Sequence, residues 1–143
     1  MLANPDRYFD HLNAYRDGDA NGMIRYLAHC TATAADEAVM TAGRLAILPD
    51  QWQQQVNARR GSTAFKLLHH LPEHPVLNVD TVHETTGASV RRSYDALDRL
   101  TEAGVLQEQT GFRRNRIWMA PDVFEELADL EHRIGQRAGP GAG

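Results

Sequence analysis

Residues 88–106, ASVRRSYDALDRLTEAGVL, decide the fold. Ser89 is placed to cap a helix, because its hydroxyl can accept a bond from an orphan N–H of the first turn. Ser93, Ala96, Leu97, Leu100 and Ala103 recur at helical spacing and define the face to be buried. The other side carries Val90, Arg91, Arg92, Tyr94, Asp95 and Arg99. Gly104 stops the helix as a left-handed cap would, and Val105 and Leu106 open a strand.

The flanking residues extend this pattern. In the preceding stretch, NVDTVHETTG over residues 78–87, Asn78 caps a short helix and Gly87 makes the turn that ends it. A short helix, a glycine turn and a longer helix with arginines near its start make a helix-turn-helix. Residues 105–110 and 113–120 read as two strands around a turn at Gly111, which adds a wing. Upstream, Ser62 caps a helix whose stripe is Phe65, Leu68 and Leu71, supported by Leu67. A rigid LPEHP turn and a minimal strand, Val76-Leu77, follow.

In such a fold the second helix enters a DNA major groove and the wing follows the phosphates. The candidate groove contacts are Ser89, Val90, Arg91, Arg92 and Tyr94, with Arg91 and Arg92 the best matched to guanine edges. Arg113, Arg114 and Arg116 are the candidate backbone contacts. Asp95, Asp98 and Glu102 lie on or near the same helix and would repel phosphate. Trihelical winged domains also serve as protein-interaction modules, so a regulatory or assembly role stays open beside DNA binding.

The N-terminal part is helical. Residues 5–16 present Tyr8, Leu12 and Tyr15 on one face with Phe9 beside them, and Arg16-Asp17-Gly18-Asp19 ends the helix as a polar turn. Asn21 is expected to cap a long second helix with the buried stripe Met23, Leu27, Cys30, Ala34, Ala38, Leu45 and Leu48. Pro49 is expected to end or kink it, since an interior proline costs about 3 kcal/mol. Residues 50–60 form a third helical piece with Trp52 and Val56 on one face. After the wing, Pro121 suits a first helical turn, and Val123, Phe124, Leu127, Leu130 and Ile134 give the final helix an amphipathic stripe.

The expected fold is therefore mainly α. A helical segment (1–60) precedes a winged helix-turn-helix domain with a small β-hairpin wing (61–136), and a tail (137–143) is expected to be disordered. The aromatic face Tyr8-Phe9-Leu12-Tyr15 wants a cover. Homodimerisation would suit a protein reading a two-fold DNA site; further chain or another protein, or the winged domain itself, are the alternatives.

Composition bounds the function. The chain has 143 residues, 42% of them hydrophobic, enough for a core. A formal net charge of −4 excludes a general polyanion binder, so any DNA contact must come from a local basic patch. A single cysteine, Cys30, excludes an internal disulfide and fits a reducing compartment. No apolar run approaches the roughly 18 residues of a membrane span, and the first residues lack a signal peptide's pattern. A cytoplasmic protein without membrane partners is expected.

Other chemistry finds little support. His69, His70 and His74 do not make a metal site, because adjacent histidines diverge, Pro72 interrupts the segment and no further ligand completes a set. Cys30 sits on the expected buried stripe, where a free thiol acts as a small hydrophobe. No glycine-rich phosphate loop stands between a strand and a helix. No cofactor and no independent enzymatic activity are expected.

One resemblance adds to this reading. Tyr8-Phe9-x-x-Leu12-x-Ala14-Tyr15-Arg16-Asp17-Gly18-Asp19, the long alanine-rich helix, Trp52 and the winged region together resemble the C-terminal part of Fic family proteins, over about residues 5–134. The first stretch is its most specific part. Fic enzymes transfer AMP or a related group with a loop of the form H-P-F-x-x-G-N-G-R, in which the histidine is the base and the glycine turn and arginine cradle phosphates. Here the only His-Pro is His74-Pro75, followed by Val76-Leu77-Asn78-Val79. The resemblance thus implies the post-catalytic helices and winged helix of that family without its catalytic half.

Overall fold

The structure, a computed structural model, describes residues 5–109, 111 and 114–138. These fold mainly as α-helix, with a small three-stranded antiparallel sheet. The chain forms two compact units, one of the residues up to Gly43 and from Leu127 on, the other of Arg44–Glu126.

The second unit is built from local signals that work. Helix α3 (Thr63–His70) starts where the Ser62 hydroxyl accepts from the Phe65 N–H, and α4 (Val79–Thr86) starts where Asn78 accepts from Thr81. Helix α5 (Val90–Glu102) starts at the Ser89 cap. Its end is a Schellman motif: Gly104, at φ +79°, donates to the Thr101 carbonyl, and Val105 donates to that of Leu100. The face expected to be buried is buried at Ser93, Ala96, Leu97 and Leu100, with Ala103 at its margin. Ser93 keeps its hydroxyl satisfied by donating to the Ser89 carbonyl, 3.0 Å away.

Strand β1 (Val76–Leu77) pairs with β3 (Trp118–Met119), which pairs with β2 (Gln107–Glu108). The strands of the hairpin are shorter than the sequence pattern suggests. Val105 and Leu106 are buried ahead of β2 rather than within it, and the region expected to turn at Gly111 lies partly outside the described residues. Helices α3, α4 and α5 pack pairwise over a core that includes Leu67, Leu71, Val82, Leu97, Trp118 and Val123. Phe65, expected on the α3 stripe, is only partly buried; Ala64 takes its place inside.

Helix α2 (Ala20–Val56) departs most from expectation. Its cap is Asp19, whose carboxylate accepts from the Asn21 N–H, so Asn21 lies inside the helix. Pro49 does not end it: the helix continues through the proline to Val56, and no separate helix covers residues 50–60. Burial explains the difference. Trp52 is fully buried and Val56 nearly so in the second unit's core. A buried aromatic ring stabilises by about 4–6 kcal/mol, which outweighs the ~3 kcal/mol cost of proline. Trp52 also donates from Nε1 to Asp122 Oδ2 at 2.7 Å.

In the first unit, the buried positions of α2 are Met23, Tyr26, Thr33, Glu37 and Thr41. Leu27 and Ala38, expected inside, are exposed. The reason is a polar seam with α6 (Pro121–Arg137). Arg133 donates to Glu37 Oε2 at 2.8 Å and to Thr41 Oγ1 at 2.6 Å, while Arg137 donates to Glu37 Oε1 at 2.6 Å. These bonds hold the Glu37 carboxyl below the usual glutamate range, the bond from Arg137 first and that from Arg133 next, with burial opposing. Arg137, expected to start a disordered tail, is helical. Of the apolar stripe expected on α6, Val123 alone is buried; Phe124 and Leu127 are exposed. Helix α1 (Pro5–Arg16) buries no residue, and Phe9 and Tyr15 remain exposed. Among the described residues no helix is long and apolar enough to cross a membrane.

Candidate nucleic-acid interface

The turn between α4 and α5 is fastened from several directions. Gly87 takes φ +68°, a conformation that costs an ordinary residue about 1–2 kcal/mol. Thr86 Oγ1 donates to the Val82 carbonyl at 2.7 Å and accepts from the Ala88 N–H at 3.2 Å. His83 Nδ1 lies 2.6 Å from the Ala88 carbonyl; a carbonyl only accepts, so that nitrogen carries the hydrogen. Lys66 on α3 reaches the Thr86 carbonyl. Residues 88–90 therefore leave the turn along one defined path into α5. The sequence reading missed His83, Thr86 and Lys66, since only the folded turn brings these side chains to its backbone.

The first turn of α5 is open to solvent. Val90 is 59% exposed, and Arg91 and Arg92 are exposed. Neither arginine makes an ion pair or side-chain hydrogen bond with another described residue. Ser89 is exposed, but its hydroxyl is occupied by the cap, accepting from the Arg92 N–H. Tyr94 sits apart from this group. It is half-buried against the core, with its ring edge-on to Trp118 at a centroid distance of 6.3 Å. Arg99 donates to the carbonyls of Val56 and Asn57 and closes the C-terminal end of α2.

Of the three arginines expected on the wing, the two within the described residues are placed differently. Arg113 lies outside the described residues. Arg114 is exposed and unpaired among the described residues. Arg116, by contrast, donates twice to Glu108, from Nε to Oε1 and from Nη2 to Oε2, both at 2.7 Å. Its guanidinium carbon lies 4.7 Å from the Trp118 ring centroid and 5.8 Å from that of Tyr94. The bond to Arg116 holds the Glu108 carboxyl below its ordinary range. The bond to Glu108 raises the Arg116 guanidinium in turn, and Asp98 adds to that field. A sequence signal for this existed: Arg116 precedes buried Trp118 by two, and alternation puts both on one face of the strand.

Charge along the exposed side of α5 is uneven. Arg91, Asp95, Asp98 and Glu102 follow at i, i+4, i+7 and i+11, in line along one face, and all are exposed. The cationic end is the N-terminal one. At about 1.5 Å per residue, Asp98 lies about 10 Å and Glu102 about 16 Å from Arg91 along the axis. Both exceed the ~8 Å screening length at physiological salt.

Two of the histidines meet. The His70 and His74 rings stack at 4.4 Å, and burial, then the His74 charge, lowers the His70 pKa. Among the described residues no group of three or more metal-ligating side chains comes together. No family model and no curated protein matches the chain.

Proposed function

We propose that the second unit is a winged-helix DNA-binding module that inserts the N-terminal end of α5 into a major groove. The observation that carries this reading is the pair Arg91 and Arg92, exposed and unpaired on the first turn beyond a fastened glycine turn. A guanidinium without a protein partner can give two of its donors to a guanine edge, worth about 1–3 kcal/mol of discrimination. Val90 beside them offers an apolar contact to a thymine methyl. Arg114 serves as a phosphate contact from the hairpin. The acidic residues further along α5 limit insertion to its first turns, where Asp95 alone lies within a screening length of Arg91. A second copy of the chain on the exposed Phe9 and Tyr15 would supply the two-fold symmetry of a palindromic site.

The line of exposed carboxylates at Asp95, Asp98 and Glu102 favours one other reading, a protein-interaction module of a Fic-like enzyme with a basic partner on that face. The two part in one experiment: selection of the purified chain on random and genomic duplex pools at two salt concentrations, with an Arg91→Ala/Arg92→Ala control. DNA binding predicts one enriched motif that the control loses. Arg92→Ala alone is expected to relax specificity at one position. Arg114→Ala is expected to weaken all sequences evenly and reduce the salt slope by about 1. No retention at low salt, or equal retention of the control, transfers the assignment to the protein-interaction reading.

A further inference from the structure

We propose that Arg116 is a positioning residue, which ties the β2–β3 hairpin to α5, and that it is not a phosphate ligand. The register carries the argument. Glu108 pairs directly with Trp118 across the ladder, and Arg116 sits diagonally, two residues before Trp118 on the same face. That face turns inward: Trp118 is fully buried and meets Tyr94 of α5 edge-on. Arg116 covers the outer side of this pair with its guanidinium. Its fork is filled by both oxygens of Glu108 on the neighbouring strand.

Three elements thus meet at one side chain. Glu108 belongs to β2, Arg116 to the segment entering β3, and Tyr94 to α5. Among the described residues the β2–β3 ladder shows two residue pairs plus the Gln109-to-Ile117 backbone bond, too few to hold an arm in one direction by themselves. A bidentate arginine on two aromatic rings adds a planar, directional contact that lysine cannot reproduce. Asn115, at φ +55°, bends the chain between Arg114 and Arg116 ahead of β3; Arg114 stays outside while Arg116 turns in.

The proposal rests on the DNA reading only for one of its two readouts. The first readout needs no DNA: amide hydrogen exchange of the full chain with Glu108→Gln and Arg116→Lys, both conservative. Exchange at Gln109 is expected to accelerate roughly tenfold or more in each variant and by no larger factor in the double variant, while α5 amides keep their protection. Unchanged Gln109 exchange would overturn the proposal. The second readout is duplex binding. A strut predicts that both variants weaken binding with the salt slope unchanged. A phosphate ligand predicts that Glu108→Gln, by releasing the guanidinium, strengthens binding, and that Arg116→Ala lowers the slope by about 1; either result overturns the proposal. Accelerated exchange in a chain that binds no duplex sustains the strut and removes the DNA reading alone.

Discussion

Replacing Trp52 by phenylalanine tests whether the core of the second unit holds α2 together past its proline. Trp52 is fully buried and donates its indole N–H to Asp122 at 2.7 Å, in the first turn of α6. Phenylalanine removes two buried carbons and the N–H. The carbons cost about 0.8 kcal/mol each. A hydrogen bond to a charged group contributes about 1.5–3 kcal/mol, and the lower half of that range applies because Asp122 is only half-buried and water can reach it. The expected total is about 3–4 kcal/mol. Urea unfolding followed by the fluorescence of Trp118, the one other tryptophan, reads the same core. The midpoint should fall with little change in slope. A cycle with Asp122→Ala isolates the bond, with an expected coupling of about 1.5 kcal/mol. A loss under about 1 kcal/mol for Trp52→Phe, or additive single variants, would refute the reasoning and leave the continuity of α2 through Pro49 unexplained.

Two further perturbations follow from the geometry. Glu37 is held ionised by Arg137 and Arg133, so its stabilisation is present in full above the ordinary value of 4.5 and is lost as pH falls through its lowered folded value. The melting-point gap between the native chain and Glu37→Gln should therefore hold steady above that value and narrow on acidification; a gap that widens in acid contradicts the assignment. Gly87→Ala meets no atom within 4 Å of the new Cβ, so its cost is backbone strain alone, about 1–2 kcal/mol. Gly87→Asn should cost less, since asparagine tolerates the left-handed region; equal losses, measured by thermal melts, would point to a contact instead.

Much of the second unit is legible in the sequence because its signals act within one turn of chain. A cap such as Ser62, Asn78 or Ser89 satisfies a donor three residues away, and Gly87 and Gly104 adopt positive φ whatever surrounds them. The buried face of α5 is also local, a matter of spacing. The candidate interface is readable to the same depth: Arg91 and Arg92 lie outside that face by helical geometry alone.

The remainder was decided by partners distant in the chain. Glu37 and Thr41 are poor candidates for a buried stripe until Arg133 and Arg137, 96 and 100 residues beyond Glu37, bring hydrogen-bond donors to them. The helix passes Pro49 because Trp52 finds a core to enter and, 70 residues away in sequence, Asp122 to bond. Arg116 reads as one more surface cation until the strand register sets it beside Glu108 and over Trp118. Sequence alone determines which backbone groups each short segment can satisfy. Tertiary structure decides which charges are spent inside the fold, because burying a polar group is tolerated only where another element supplies its partner.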